Sequence, residues 1–60
     1  MTKPKFEIFK DETDQFRFRL VAPNGEIIAT SEAYEAKVSC MNGIKSVKEN
    51  APKAKIVDLT

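Results

Sequence analysis

Strict alternation between residues 15 and 22 constrains the fold of this chain more than any other feature of its sequence. Every second side chain in this segment is apolar, namely Phe16, Phe18, Leu20 and Ala22. The positions between them are mostly polar and include Arg17 and Arg19. Because successive side chains of a β-strand point to opposite faces, the segment predicts a strand with one apolar and one cationic face. This pattern is typical of an antiparallel sheet packed on one side only.

A second alternating segment, Lys5–Lys10, precedes this strand and carries Phe6 and Ile8 on one side. We expect these two side chains to join the packed face. The connection, Asp11–Asp14, is short and polar, as a hairpin loop requires. Asp14 is expected to adopt the left-handed conformation there, since Asp tolerates it better than most residues.

The sequence Pro23-Asn24-Gly25 predicts a second hairpin turn, followed by a third strand over Glu26–Thr30. Two adjacent isoleucines leave the phase of this strand open, because a shift of one residue moves every side chain to the other face. The preferred phase turns Ile27 and Ala29 to the core and Ile28 and Thr30 to solvent.

Apolar side chains then recur at steps of four, four, three and four, at Ala36, Cys40, Ile44, Val47 and Ala51. This spacing predicts a helix from Glu35 to Asn50. Gly43 lies inside it, although glycine costs a helix interior roughly 1 kcal/mol relative to alanine. We infer that another backbone passes close to this face. Pro52 follows the helix, and Lys55–Leu59 then predicts a short fourth strand.

Composition limits the chemistry that the chain offers. It has no His and one Cys, with ten basic and nine acidic residues and a net charge of +1. A single Cys forms no disulfide within the chain, and the common catalytic and transition-metal arrangements need His or further Cys. We therefore predict no catalytic residue, no cofactor and no metal site, and interpret Asp11, Glu12 and Asp14 as a polar loop tip. The absence of a signal-peptide pattern or a long apolar run predicts a cytoplasmic protein without a membrane partner.

Sixty residues make one domain, 1–60, with a thin margin of stability. A chain of this size buries only about 60% of its unfolded surface. Removing about 3,500 Å² of apolar area from water contributes about 87 kcal/mol, while the lost conformational entropy costs about 90 kcal/mol. The sequence lacks the Cys pair for a disulfide and the Cys and His ligands for a structural metal. Association of two chains is therefore the remaining way to gain stability.

Several motifs together resemble the YegP-like family of small uncharacterised bacterial proteins. The likeness runs from about Lys5 to Thr60 and departs from the family pattern at Asp14 and Glu35. Its residues are Phe16-Arg17-Phe18-Arg19-Leu20, Asn24-Gly25, Ile27-Ile28-Ala29-Thr30-Ser31-Glu32, Tyr34, Asn42-Gly43-Ile44, Ser46-Val47-Lys48, Asn50-Ala51 and Val57-Asp58-Leu59.

The resemblance implies an α+β fold of β-β-β-α-β order, an antiparallel meander with one helix on one face. Such a unit is incomplete alone. Two units, in tandem or in two chains, share one sheet and exchange their C-terminal strands. This single-unit chain resembles the two-chain form, with Ile56, Val57 and Leu59 in the exchanged strand. The family carries no established activity to transfer.

The polar face of the sheet suggests one binding site. Arg17 and Arg19 project from it, and a two-fold dimer would carry four such arginines, joined by Lys5 and Phe9 as further candidates. An open sheet with cations and an aromatic ring is suited to nucleic acids or anionic ligands. The simpler interpretation is a solvated face, on which Glu7 and Glu26 pair with the arginines.

These observations predict a small, non-enzymatic homodimer with a structural or interaction role. The alternative is a nucleic-acid or anionic-ligand binder that uses the arginines. The expected core consists of Phe6, Ile8, Phe16, Phe18, Leu20, Cys40, Ile44 and Val47.

Overall fold

The computed structural model describes residues 3–60, which form a three-stranded antiparallel sheet and one helix. The strands are β1 (Lys5–Lys10), β2 (Phe16–Val21) and β3 (Ile27–Thr30), in the order β1-β2-β3. Helix α1 (Lys37–Asn50) follows and ends in a short 3-10 turn, Ala51–Lys53. The α+β class, the meander and the single helix are as predicted.

Strands β1 and β2 form a regular hairpin whose loop is organised by one carboxylate. Asp11 Oδ1 accepts hydrogen bonds from the backbone N–H of Thr13 at 2.9 Å and of Gln15 at 3.0 Å. Asp14 adopts the left-handed conformation, with φ of 62°, as predicted. The pairing runs without interruption from Lys5 opposite Val21 to the other end of both strands, so this hairpin is complete by itself.

The second hairpin contains an irregularity that the sequence left open. Gly25 takes a φ of 89°, and its N–H donates to the Ala22 carbonyl at 2.9 Å. Beyond the turn, Ile27 pairs with Val21 and Ala29 pairs with Leu20, so Ile28 is the extra residue of a β-bulge.

The bulge corrects the predicted phase of β3. Residues directly opposite each other share a face of the sheet, so Ala29 lies on the helix side with Leu20. Ile27 lies on the arginine side with Val21, and its assignment to the helix-side core was therefore wrong. Both isoleucines of the strand remain more than half exposed, Ile27 at 56% and Ile28 at 61%.

Helix α1 begins at Lys37, two residues later than predicted, because Ala36 is still extended (φ −119°, ψ 144°) and offers no side-chain cap. Gly43 packs against the side chains of Tyr34 and Phe18. A Cβ at this position would lie 2.5 Å from Tyr34 Oη and 3.1 Å from Phe18 Cε2. The prediction that another part of the chain approaches Gly43 closely is therefore correct. The approaching groups are the side chains of Tyr34 and Phe18, and not a backbone.

The core of the described chain is small. Cys40 is completely buried, and Phe18 and Val21 are nearly so. Val21 was not predicted as core, and it is buried on the arginine side of the sheet. The other predicted core residues are only half-buried: Phe6, Ile8, Phe16, Leu20, Ile44 and Val47.

The predicted fourth strand does not form within this chain. Residues 54–60 have no assigned secondary structure, because no strand in the described part of the chain lies beside them. Their large apolar side chains are mostly exposed, at 99% for Ile56, 71% for Val57 and 91% for Leu59. Across residues 3–60, no helix has the length and apolar character needed to cross a membrane.

Candidate functional site

The arginine face of the sheet, defined by Lys5, Glu7, Phe9, Arg17 and Arg19, brings all four predicted binding residues together. Antiparallel pairing sets Glu7 opposite Arg19 and Phe9 opposite Arg17. Side chains of opposite pairs on neighbouring strands touch. The face therefore carries three cations, one aromatic ring and at least one carboxylate within reach of one another.

Arg19 is held by two contacts on this face. Its Nε donates to Glu7 Oε1 at 2.7 Å, and its guanidinium carbon lies 4.8 Å from the centre of the Phe9 ring. Lys5 Nζ lies 3.1 Å from the other Glu7 oxygen. Hydrogen bonds from Arg19 and then Lys5 lower the pKa of Glu7 below its usual value. The predicted pairing of Glu7 with an arginine is thus observed.

Arg17 is anchored to the loop between β1 and β2. Its Nε donates to Asp11 Oδ2 at 2.9 Å, and its Nη1 reaches the Ser31 carbonyl at 3.4 Å. The Thr13 hydroxyl, the backbone N–H of Gln15 and the Arg17 guanidinium all donate to the Asp11 carboxylate, and together they hold its pKa far below the usual range. Asp11 was not predicted as a partner of Arg17, because it lies in the loop rather than opposite it on a strand.

The contacts of the arginine face limit its ability to bind anions. Arg17 and Arg19 are only 38% and 37% exposed, and each is already paired with a carboxylate. Each arginine uses its Nε on a carboxylate, so a phosphate would have to bind through the remaining guanidinium N–H groups, and its charge would be repelled by the two carboxylates nearby. Glu26, predicted to share the face, makes no ion pair among the described residues. This geometry favours a surface on which the cations are largely neutralised by carboxylates of the same chain.

The described residues contain neither a cluster of metal ligands nor an accessible thiol. Among residues 3–60, no three His, Cys, Asp or Glu side chains gather into a group that could hold a metal ion. Cys40 is free and fully buried, and burial raises the pKa of its thiol. A thiol in this environment behaves as a small apolar side chain.

A second candidate site, which the sequence did not reveal, lies on the opposite face of the sheet. An open cleft of about 370 Å³ runs between α1 and the sheet. We call it the helix-side groove and define it by its apolar lining: Phe6, Phe18, Leu20, Ala29, Tyr34 and Val47.

Tyr34 forms one wall of the helix-side groove. Its backbone exchanges two hydrogen bonds with Phe16, at 2.7 and 2.8 Å, and its ring stacks on Phe18 with centroids 6.4 Å apart. It stands outside the regular strands and the helix, so periodicity gave it no role. The feature of the sequence that could have indicated its role is an aromatic residue in a largely polar connection between β3 and α1.

Comparison with known proteins places the chain in a family. Residues 11–58 match the family described as "Domain of unknown function (DUF1508)". A UPF0339 protein of Treponema denticola is 58% identical over 55 residues, covering 92% of this chain and 95% of that protein. The UPF0339 protein YegP of Escherichia coli is 53% identical over 47 residues, which are 78% of this chain and 43% of YegP.

The fold is shared with a solved relative. The solution NMR structure of a protein from Haloferax volcanii superimposes with a TM-score of 0.87 at 46% identity, covering 97% of this chain and 98% of that one. Sequence and fold agree over nearly the whole length, and the names of these relatives carry no activity. The chain therefore belongs to the DUF1508 family, whose UPF0339 members, YegP among them, are uncharacterised proteins.

Proposed function

We propose that this chain is a small, non-enzymatic interaction module of the cytoplasm that acts as a homodimer. Each chain adds its C-terminal segment, Lys55–Leu59, to the sheet of the other. The observation that carries the proposal is the exposure of three large apolar side chains, Ile56, Val57 and Leu59, in a segment that pairs with no strand among residues 3–60.

The total surface area supports a missing partner. A compact monomer of 6.7 kDa has an accessible surface of about 3,900 Å², whereas this chain exposes 5151 Å². The excess is about 1,250 Å² per chain, or about 2,500 Å² for two. Obligate homodimers bury total areas of this order, about 2,000–5,000 Å². One dimer interface would therefore account for the excess.

The sheet offers places for an added strand. With the order β1-β2-β3, both β1 and β3 are edges within the described chain. Edge strands present unpaired N–H and C=O groups to which another extended segment can bond. The segment Lys55–Leu59 contains the β-branched pair Ile56 and Val57, and such residues favour strands.

The lengths of relatives point in the same direction. The region of YegP that matches this chain makes up only 43% of that protein. More than half of YegP thus lies outside the match, which leaves room for a second unit of equal size. A fold that needs two units can obtain them from one longer chain or from two short ones.

An interaction role is favoured over catalysis because the sequence has no His and its one Cys is fully buried. Binding of nucleic acids or anionic ligands through Arg17 and Arg19 stays a prediction from the sequence. The carboxylate partners of both arginines weigh against it.

The proposal is tested by solution mass and unfolding. Light scattering across a dilution series should give the mass of two chains, and the urea midpoint should rise with protein concentration because folding and assembly are coupled. The double variant Val57→Asp, Leu59→Asp should abolish the dimer. Met41→Asp, at a helix position that is 55% exposed, is the matched control and should keep it. A stable, folded wild-type monomer at every concentration would overturn the proposal.

A further inference from the structure

We infer that one end of the arginine face binds a small organic carboxylate with a short apolar body. The site is an open cleft of about 410 Å³ between Lys5, Arg19 and the second hairpin turn, residues 22–25. We call it the turn cleft. Its volume lies within the range of about 300–1,000 Å³ that is common for ligand pockets. The inference goes beyond the proposed interaction role and does not depend on the dimer, because one chain supplies every wall.

The apolar part of the turn cleft is already formed in the chain. Val21 lines it and is only 7% exposed, and Ile27 lies opposite Val21 on the neighbouring strand. The turn beside them is fixed by backbone hydrogen bonds, from Gly25 N–H to the Ala22 carbonyl at 2.9 Å and from Ala22 N–H to the Glu26 carbonyl at 2.8 Å. A ligand therefore meets a preformed apolar wall.

The polar part of the turn cleft carries a surplus positive charge. Lys5 Nζ lies 3.1 Å from one oxygen of Glu7, and Arg19 Nε lies 2.7 Å from the other. Two cations thus share one carboxylate, which stays ionised because both lower its pKa. At the far end of the face, by contrast, Arg17 is matched one to one with Asp11 at 2.9 Å. The neutralisation of the arginine face is therefore incomplete at the cleft.

Unused hydrogen-bond donors accompany this surplus charge. Arg19 gives its Nε to Glu7, and its two Nη groups donate no hydrogen bond to the residues of the described chain. The Lys5 ammonium has three donors, and its side chain is 55% exposed. A carboxylate accepts charge-assisted hydrogen bonds from such groups. Glu26, the carboxylate next in sequence to the turn, does not line the cleft.

Charge and apolar area together define the class of ligand. One surplus cation matches the single negative charge of a carboxylate, whereas a phosphate dianion or a nucleic-acid backbone brings more charge close to Glu7. The hydrocarbon part of the same molecule would cover Val21 and Ile27 and remove their apolar surface from water. Both requirements are met by a free acid with a short branched chain.

The first experiment titrates isovalerate, a free acid of this kind, into isotope-labelled wild type and records amide NMR spectra. We expect a dissociation constant on the order of 1 mM, with the largest shifts at the amides of Val21, Asn24 and Gly25. Acetate lacks the branched chain and isovaleramide lacks the charge. Each should therefore bind at least about fivefold more weakly.

The second experiment compares two lysines at opposite ends of β1. Lys5→Gln removes the surplus charge and should raise the dissociation constant of isovalerate at least about fivefold. Lys10→Gln is the matched control, because Lys10 is equally exposed, at 53%, and pairs with Asp14 away from the cleft. It should change the constant less than about twofold. The dispersion of the amide spectra reports whether each variant is folded.

Several outcomes would overturn the inference, and those with wild type need no variant. They are equal binding of isovaleramide and isovalerate, shifts centred on the helix-side groove, and no shift at about ten times the expected constant. Unchanged binding by folded Lys5→Gln would overturn it as well. Tighter binding of acetyl-leucine than of isovalerate would reassign the cleft to the C-terminus of a peptide. Light scattering tests the dimer separately, so a monomer that binds isovalerate would support the site and overturn only the proposed function.

Discussion

The β1–β2 hairpin and the C-terminal segment 54–60 differ in how many of their contacts the described chain supplies. In the hairpin, pairing is continuous, Asp11 organises the loop and Arg17 ties the loop to the sheet. In the segment, Ile56 and Leu59 are more than nine-tenths exposed. The contrast teaches that local sequence completes a hairpin, while residues 54–60 find no strand to pair with among residues 3–60.

Removing residues 55–60 would test this contrast most severely. Judged by contacts within one chain, the deletion should cost almost nothing. If the segment completes a partner, it should abolish the dimer and the concentration dependence of the urea midpoint, with loss of most of the folded population. Light scattering and circular dichroism of the truncated chain provide the measurement. Full stability after truncation would show that the segment is dispensable.

Gly43→Ala should have the next largest effect and acts on the hairpin side of the comparison, where α1 packs against Phe18 of β2 and against Tyr34. Its Cβ would meet Tyr34 Oη at 2.5 Å, and overpacking of this kind costs about 1–3 kcal/mol, against a gain of about 1 kcal/mol in helix propensity. We expect a lower urea midpoint.

Tyr34→Phe provides the matched partner for Gly43→Ala, because it removes the hydroxyl oxygen that the new Cβ would approach. The double variant should recover part of the loss, so the two changes should be non-additive in urea unfolding. Equal costs of Gly43→Ala in both backgrounds would mean that the hydroxyl does not cause the effect.

Acid should weaken the hairpin loop in a defined direction. The pKa of Asp11 lies below its usual value of 3.8 in the folded chain, so its ionised form stabilises the fold above that pH. This contribution is lost as the pH falls through the folded pKa. The melting temperature of the wild type should exceed that of Asp11→Asn at neutral pH, and the gap should narrow in strong acid. A gap that stays constant with pH would contradict the role of the charge.

The smallest expected effect concerns the arginine face. Since Arg17 and Arg19 are paired with carboxylates, wild type should show no salt-sensitive shift with random oligonucleotides in a fluorescence anisotropy titration. Arg17→Glu, Arg19→Glu should then behave identically. Salt-sensitive binding that this double variant loses would instead establish the nucleic-acid interpretation and show that the ion pairs yield to phosphate.

The sequence predictions were accurate where the interactions involve neighbouring residues and less accurate where they join distant segments. Asp14 was placed correctly in the left-handed region, and the turn at Gly25 was predicted correctly, because turn chemistry depends on neighbouring residues. The phase of β3 was half wrong, since the bulge at Ile28 arises from pairing with β2. Likewise, neither the Arg17 contact with Asp11 nor the groove wall at Tyr34 has a periodic signature.

The sequence by itself determined the three strands, the helix, the buried Cys40 and the two chemically distinct faces of the sheet. These follow from side-chain period and turn residues, which act over a few positions. Only the tertiary structure decided that Tyr34 and Phe18 fill the space beside Gly43, that Val21 is buried on the arginine side, and that Ile56 and Leu59 are left uncovered by the rest of the described chain. Burial depends on which distant segments meet, and a local pattern does not contain that information.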